Sequence, residues 1–273
     1  MPELPEVETI RCQLLPLVSG RAIVDAWLSP EAPRLPAFPP DAGAFASLLV
    51  GRRLLSVERR GKYLLFPLDD GHTWIVHLRM TGALVHSSAG AVEDRFLRAR
   101  FRLDDGCHLY YRDVRKLGRM WVVADPAQVV GKLGPEPLSE GLSAAALLAA
   151  LRGRRAPIKA LLLDQGTLAG LGNIYADEAL HEAAISPLRP AGSLTPEEAE
   201  RLCQAIRRVL AGATRHGGTS FWAYLDARGE RGQHQLHVRV YRRQGQPCPR
   251  CGAAVARVRV GGRSCHYCPA CQV

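Results

Sequence analysis

Cys248-Pro249-Arg250-Cys251 and Cys268-Pro269-Ala270-Cys271 form two Cys-x-x-Cys pairs near the end of this 273-residue chain, with residues 252–267 between them. Two such pairs at this spacing are typical of a structural site in which four thiolates bind one zinc ion. Residues 255–260 read Val-Ala-Arg-Val-Arg-Val, which favours a strand, and Gly261-Gly262 supplies a two-residue hairpin turn. So short a segment buries too little apolar surface to fold without metal. We therefore predict a zinc-finger β-hairpin that holds one structural Zn²⁺.

Cys265 leaves one alternative ligand set open. Cys265-His266-Tyr267-Cys268 is also a Cys-x-x-Cys sequence, so Cys265 competes for the metal. Its use would leave Cys271 without a role, and the favoured ligands are Cys248, Cys251, Cys268 and Cys271. The other cysteines (Cys12, Cys107 and Cys203) are scattered among apolar residues, where we expect small buried hydrophobic side chains.

The composition describes a globular and basic protein. Hydrophobic residues make up 47% and charged residues 23% of the chain, values that exclude long disorder. No segment approaches the ~20 apolar residues of a membrane span, and the acidic start Met-Pro-Glu-Leu-Pro-Glu-Val-Glu is unlike a signal peptide. We therefore expect a soluble, cytoplasmic protein with no membrane partner. A net charge of +10 favours a partner lined with phosphates, although a solvated basic surface gives the same count.

The pattern of the first 125 residues predicts a helix followed by many short strands. Val7, Ile10 and Leu14 lie at helical spacing, and Pro16 is expected to end this helix. Strand-like runs at residues 63–67, 74–78, 96–103, 108–111 and 120–123 are separated by turns that contain glycine. Repeated short strands of this kind indicate an antiparallel sandwich or barrel.

The middle of the chain is helical. Ser143 is suited to cap a helix over residues 144–151, and Pro157 opens a second helix through Asp164. A third helix is predicted at about residues 174–184, and the capping box at Thr195 opens a fourth that ends near Arg215. After Gly217-Gly218 we expect a mobile polar loop.

These patterns together predict an α+β fold. It comprises an N-terminal antiparallel β-sandwich with flanking helices (residues 1–128), a central helical domain with a polar loop (129–235), and a four-cysteine zinc-finger β-hairpin (236–273).

The opening residues, Met-Pro-Glu-Leu-Pro-Glu-Val-Glu-Thr, resemble those of the bacterial formamidopyrimidine-DNA glycosylases, which excise oxidised purines. The resemblance runs through the chain. It includes residues 60–63 (Arg-Gly-Lys-Tyr), 77–80 (His-Leu-Arg-Met), 133–137 (Leu-Gly-Pro-Glu-Pro), 172–178 (Gly-Asn-Ile-Tyr-Ala-Asp-Glu), 217–219 (Gly-Gly-Thr), 240–241 (Val-Tyr) and 267–272 (Tyr-Cys-Pro-Ala-Cys-Gln). The helical region then resembles a helix–two-turns–helix DNA-binding domain.

This resemblance implies a bifunctional glycosylase and abasic-site lyase of base excision repair. Pro2, freed by removal of Met1, is the expected nucleophile, since a secondary amine forms an iminium directly. Glu3 resembles the family's proton donor, Lys62 its lysine of the elimination steps, and Arg263 the arginine of phosphate binding and the second elimination. The expected course is base excision, a covalent iminium, then β- and δ-elimination.

The resemblance also implies the residues that bind DNA. Met80, Arg115 and Leu117 match the side chains that fill the stack after a base is flipped out, although the family usually has phenylalanine at position 117. Matches to other DNA contacts are His77, Arg155, Asn173 and Tyr241. Residues 220–224 depart from the family pattern in the loop that caps the flipped base.

The implied partner is double-stranded DNA with an oxidised base or an abasic site, bound by a monomer in the cytoplasm at the nucleoid. An endonuclease VIII-like enzyme for oxidised pyrimidines is the first alternative, and Leu4 speaks against it because that branch usually has glycine there. The second alternative is a non-catalytic zinc-dependent DNA-binding protein, against which the presence of Pro2, Glu3 and Lys62 argues.

Overall fold

The computed structural model describes residues 1–88, 94–139, 141–221 and 223–273, so Trp222 of the polar loop lies outside the described residues. The chain divides into two compact units. The first contains residues 1–132 and 216–235, and the second contains residues 133–215 and 236–273. The boundaries 1–128, 129–235 and 236–273 stay a prediction, and the structure groups residues 216–235 with the N-terminal residues.

The first unit is a β-sandwich flanked by helices, as predicted. Its helices are α1 (Leu4–Val18), α2 (Ala42–Leu49) and α3 (Ala127–Val130). Its strands are β1 (Ile23–Leu28), β2 (Pro36–Phe38), β3 (Glu58–Arg60), β4 (Tyr63–Pro67), β5 (Thr73–His77), β6 (Gly82–Ser87), β7 (Leu97–Leu103), β8 (His108–Asp113) and β9 (Arg119–Val123). One sheet has the order β1-β7-β8-β6 and the other β2-β9-β5-β4-β3. Pairing is antiparallel except between β2 and β9, which are parallel.

The two sheets share one apolar core. Trp74 of β5 stacks on Phe66 of β4 with ring centroids 4.7 Å apart, and it meets Phe101 of the other sheet at 4.6 Å. Helix α1 adds the fully buried Val7, Ile10 and Leu14, as its spacing predicts. Burial of this apolar face fixes α1, and with it the start of the chain, against the sandwich.

The predicted end of α1 at Pro16 is wrong, because the helix continues to Val18 and contains Pro16. A proline removes the N–H that would bond to the carbonyl four residues earlier, here that of Cys12. Both residues lie on the exposed side of α1, where solvent can satisfy that carbonyl. The proline is therefore tolerated in the last turns.

The second unit consists of four longer helical elements and a hairpin. Its elements are α4 (Ala144–Leu151), α5 (Ile158–Leu162), α6 (Asn173–Glu182), α7 (Pro196–Arg215), β10 (Ala256–Val260) and β11 (Arg263–Tyr267). The side chain of Ser143 accepts the N–H of Ala146 at 3.1 Å, as expected of a cap. The capping box before α7 is present, since Thr195 N–H donates to Glu198 and Glu198 N–H donates to Thr195.

A buried ion pair joins the hairpin to α5 and α6. Lys159 Nζ lies 2.6 Å from Asp177 Oδ1, with both side chains fully buried, and it donates to the Ser264 carbonyl at 2.7 Å. Asp177 also accepts the N–H of His266 at 2.9 Å. Each charge thus has a partner and further hydrogen bonds, which offset the cost of burying it. Throughout the described residues, each helix is too short or too polar to traverse a bilayer.

Candidate catalytic site and zinc centre

The start of the chain is packed tightly against α1. Pro2 is buried, and Glu3, the residue before α1, is only 3% exposed. The N–H of Glu3 donates to Glu6 Oε2 at 2.7 Å, half of a capping box at this helix start. Pro5 in the first turn has no N–H to satisfy and suits this position. The sequence Pro-Glu-Leu-Pro-Glu thus builds a fixed helix start next to the chain end.

Acidic and basic groups surround that chain end. Burial lowers the pKa of the Met1 amino group below its ordinary value, Glu3 and Glu6 act against this shift, and Lys62 and Arg115 add to it. A lowered pKa increases the neutral fraction of an amine, and the neutral amine is the nucleophilic form. In the chain that begins at Met1, the nitrogen of Pro2 is an amide.

Lys62 lies in the two-residue turn that joins β3 to β4. Gly61 before it has φ +57°, a conformation that glycine adopts at little cost, and Lys62 itself is only 4% exposed. A lysine at a hairpin turn is usually solvated, so burial beside the chain end marks this position as unusual. The structure therefore brings Pro2, Glu3 and Lys62 into one neighbourhood of the first unit.

His77 ends β5 and is held as a neutral imidazole. Its Nδ1 accepts the N–H of Arg79 at 3.0 Å, and its ring meets the Tyr63 ring edge-on with centroids 4.5 Å apart. Burial, with smaller effects from Arg79 and Lys62, lowers the pKa of His77 to about 3. Since Nδ1 is an acceptor, the proton of the neutral ring is assigned to Nε2, which is then a donor.

The residues expected to enter the DNA stack lie on two exposed turns of the sandwich. Met80 follows β5 and is 43% exposed, while Arg115 and Leu117 lie between β8 and β9 with Leu117 36% exposed. Buried Asp113 holds both turns, because its carboxylate accepts the Thr81 hydroxyl and the N–H groups of residues 115, 117 and 118. Large side chains exposed on such fixed turns suit insertion into a base stack.

The polar loop predicted after Gly217-Gly218 is hydrogen-bonded to α1 at several described positions, and its mobility stays a prediction. The N–H of Thr219 donates to Glu6 Oε1 at 2.7 Å, and Gln13 on α1 donates to Asp226 at 2.7 Å. Gly218 has φ +80°, and a Cβ there would lie 2.8 Å from the side chain of Glu6. Among the polar residues of the loop, Thr219 and Asp226 are buried, whereas residues 228, 230 and 231 are exposed. Glu6 thus links the chain end to this loop.

Four other sequence-predicted residues belong to the second unit. Asn173 is the first residue of α6 and does not cap it, and its Oδ1 is buried without a hydrogen-bond partner among the described residues. Arg155 is exposed before α5, and Arg263 is exposed just after the glycines of the hairpin turn. The N–H of Tyr241 donates to Glu178 Oε1 at 2.8 Å. Backbone N–H groups at a helix start and exposed guanidinium groups suit phosphate.

The zinc centre is formed by the four predicted cysteines. The sulfur atoms of Cys248, Cys251, Cys268 and Cys271 all lie within 4.8 Å of one another. Cys265 is outside this cluster and fully buried, and burial raises the pKa of its thiol to about 12. The position of Cys265 outside the cluster of sulfur atoms shows that the alternative ligand set is wrong. Four thiolates without an open position fit a structural zinc ion.

The predicted burial of the other cysteines holds only for Cys203, because Cys12 is exposed and Cys107 is half-buried.

Several supporting residues were not found from the sequence. Buried Glu178 accepts the N–H groups of residues 239, 240 and 241, and it was noticed only as part of a motif. His181 Nε2 lies 3.3 Å from Cys248 Sγ, and nothing in the sequence signalled this contact across 67 residues. Nothing in the sequence signalled the contact of Glu6 with Thr219, which is 213 residues further along the chain.

Three family models match successive parts of the chain. The formamidopyrimidine-DNA glycosylase N-terminal domain matches residues 1–120, the formamidopyrimidine-DNA glycosylase H2TH domain residues 133–223, and the zinc finger found in FPG and IleRS residues 245–273. A formamidopyrimidine-DNA glycosylase of Pelotomaculum thermopropionicum is 45% identical over 277 residues, which cover 100% of this chain and 99% of that protein.

Solved structures are similar over the whole fold. A Lactococcus lactis Fpg, described as a complex with DNA containing an abasic site, aligns with a TM-score of 0.90 and 33% identity, over 99% of both chains. A MutM described as a complex with DNA containing carbocyclic 8-oxo-G aligns with a TM-score of 0.89 and 34% identity, over 99% of both chains.

The fold and the site define a class of protein with three parts. These are a sandwich domain in which Pro2 and Glu3 are buried, an H2TH domain and a four-cysteine zinc finger. The chain belongs to the formamidopyrimidine-DNA glycosylase family.

Proposed function

We propose that this protein is a bifunctional DNA glycosylase and abasic-site lyase of base excision repair that removes oxidised purines, chiefly formamidopyrimidines and 8-oxoguanine. Membership of the family supports the glycosylase activity. The similar solved chains, described as complexes with abasic-site and 8-oxo-G DNA, support both the lyase step and the lesion class.

Pro2 is the proposed nucleophile once Met1 is removed. Its secondary amine attacks C1′ of the damaged nucleotide, and the base leaves with the proton that the amine loses. The iminium between the nitrogen and C1′ forms when the C1′–O4′ bond opens and O4′ takes up a proton. An α-amino group ordinarily titrates near ~8, so a useful fraction of this amine is neutral at cellular pH. The observation that carries the proposal is buried Pro2 directly before the buried carboxyl group of Glu3.

Glu3, Lys62 and Arg263 carry the other proposed catalytic roles. Glu3 donates a proton as the sugar ring opens and the base departs, a role that suits a carboxyl group fixed beside the nucleophile. Lys62 supplies a proton during the elimination that releases the 3′ phosphate. Arg263 binds phosphate and assists the second elimination, which releases the 5′ phosphate and leaves a one-nucleotide gap.

The proposed DNA-binding residues divide into two kinds. Met80, Arg115 and Leu117 fill the space left by the flipped base, with Arg115 facing the orphaned cytosine. The phosphate contacts are His77 through Nε2–H, Arg155, Asn173 and Tyr241. Zinc has no catalytic part, because four thiolates hold it and its role is to fold the hairpin that carries Arg263.

We further propose a monomer that works in the cytoplasm at the nucleoid, with domain boundaries 1–128, 129–235 and 236–273. One catalytic chain end and one set of DNA contacts suffice for one lesion.

Borohydride trapping tests the proposal. Met-processed protein is mixed with duplexes that carry 8-oxoguanine opposite cytosine, an oxidised pyrimidine or an abasic site, and the iminium is reduced to a stable crosslink. We expect crosslinks with 8-oxoguanine and abasic DNA. Trapping only at oxidised pyrimidines would favour the endonuclease VIII-like alternative, and no trapping on any of the three would contradict an enzyme.

A further inference from the structure

The second unit contains a polar cavity of about 340 Å³, and Tyr241 is the one residue of its lining that has a role above. Six described residues line it: Tyr241, Arg242, Gln244, Arg257, Ser264 and His266. We call it the Arg242–Arg257 pocket. Two guanidinium groups are among these residues and no carboxylate is, so the lining favours an anion.

The hairpin provides one side of the pocket. Arg257 of β10 is paired with His266 of β11, so both side chains lie on the same face of the hairpin. His266 is only 5% exposed and is held from behind, with Nδ1 3.3 Å from Asp177 Oδ2. Asp177 in turn pairs with Lys159. This side of the pocket is therefore fixed by a buried network.

The segment before the hairpin provides the other side. The carboxylate of Glu178 accepts the N–H groups of Arg239, Val240 and Tyr241, which fixes the backbone directly before Arg242. The Tyr241 ring meets the His266 ring edge-on with centroids 5.1 Å apart. The rings of Tyr241 and His266 thus join the two sides of the pocket, and hydrogen bonds to Glu178 and Asp177 fix these two residues.

Arg242 has a backbone conformation that suits glycine. Its φ is +61°, in the left-handed region where a Cβ is unfavourable. Glycine at this position would relax the backbone but remove the guanidinium group. Arg242→Gly therefore separates two effects of this side chain, because it should weaken anion binding without reducing the stability of the fold.

We propose that the Arg242–Arg257 pocket is an additional subsite for one phosphate diester of the bound DNA backbone. Guanidinium groups match phosphate oxygens with paired N–H donors, and the hydroxyl groups of Tyr241 and Ser264 supply further donors. This inference rests on the proposed function, because it requires the protein to bind DNA. The pocket would provide a phosphate contact at the base of the hairpin, in addition to the contact proposed for Arg263 at the hairpin turn.

The test compares Arg242→Gly and Arg257→Gln with the wild type in binding to an 8-oxoguanine duplex over a range of NaCl concentrations. Each lost phosphate contact is expected to reduce the steepness of log K plotted against log salt concentration by about 0.9. At 0.1 M salt, this change corresponds to an affinity about eightfold weaker. Arg242→Gly is expected to keep or raise the melting temperature despite its weaker binding, and both variants are expected to retain zinc.

Arg208→Gln is the matched control, since it removes one exposed arginine that pairs with Glu182 in the same unit, away from the pocket. Wild-type affinity and salt slope in both pocket variants would overturn the subsite, and so would an equal loss in the control. Failure of the proposed function looks different, because the wild type itself would then neither bind nor crosslink the lesion duplex.

Discussion

At the start of the chain, the ionisable groups proposed for catalysis are buried, with Glu3 3% and Lys62 4% exposed. At the tip of the zinc hairpin, Arg263 is exposed on a two-stranded element that depends on four cysteines. Burial shifts pKa values and keeps water away from reacting groups, whereas exposure lets a guanidinium group meet phosphate at little desolvation cost. Changes at the chain end should therefore reduce turnover, and changes in the hairpin should reduce affinity.

The largest effect is expected for Glu3→Gln. Loss of a positioned proton donor should slow base excision by about 10²- to 10⁴-fold and leave the dissociation constant for lesion DNA unchanged. Single-turnover excision and equilibrium binding measure the two quantities. Glu8→Gln is the control, because Glu8 lies on the same helix but pairs with Arg11 and Arg59. Equal losses in both variants would show that Glu3 acts only through the helix.

The hairpin side of the comparison is tested by Cys268→Ser. Loss of one thiolate should release zinc, unfold the hairpin and weaken binding to lesion DNA by at least about tenfold. Excision at saturating DNA should fall much less. Cys265→Ala, which changes a buried cysteine outside the cluster, should retain one zinc per chain. Normal zinc content and affinity in Cys268→Ser would refute a structural role for the metal.

A smaller effect is expected at His181, which joins α6 to the zinc centre. Its Nε2 lies 3.3 Å from Cys248 Sγ, and an N–H donor there stabilises the thiolate form. His181→Phe should release zinc to a chromogenic chelator about tenfold faster, while His181→Gln, which keeps a donor, should stay closer to the wild type. Identical release rates for both variants and the wild type would contradict this contribution.

The smallest effect concerns His77 and stability. Its pKa is about 3 in the folded protein against an ordinary 6.5, so the unfolded chain takes up the proton first as pH falls. Neutral His77 therefore contributes its full share to the free energy of unfolding above pH 6.5. This contribution is lost as the pH falls toward 3, by up to about 1.4 kcal/mol per pH unit. Urea unfolding measures the free energy of unfolding between about pH 6 and 5. As the pH falls, this free energy should decrease less steeply in His77→Gln than in the wild type, by about 1 kcal/mol per pH unit. Parallel pH curves for the two proteins would show that His77 is not buried as a neutral base.

The sequence predicted those parts of the fold that local chemistry determines. Strand β4 and helix α4 were placed at their observed bounds, and the spacing of the cysteines favoured the observed zinc ligands over a set with Cys265. Pro16 was misjudged because its effect depends on which side of the helix faces solvent. The hydrogen bonds of residues 219 and 227 to Glu6 and Gln13 could not be predicted, because these partners are more than 200 positions away.

The supporting groups of the site were hidden for the same reason. Asp113 holds two turns whose residues are 32 positions apart, and Glu178 holds a segment 61 to 63 positions further along. Each is a common residue type in an ordinary local context, and only folding gives it buried N–H partners. The resemblance to the family supplied the expected catalytic roles. The carboxylates that fix the surrounding backbone could be identified only from the structure.

The most direct measurement uses one preparation in two forms, one with the Pro2 nitrogen free after Met1 removal and one with that nitrogen chemically acetylated. Terminal sequencing and mass spectrometry verify the two forms. Cleavage of abasic-site DNA and borohydride crosslinking are then measured at equal occupancy of the DNA. We predict that the free form cleaves and crosslinks, and that the acetylated form binds equally well but does neither. Cleavage by the acetylated form at the rate of the free form would contradict the account.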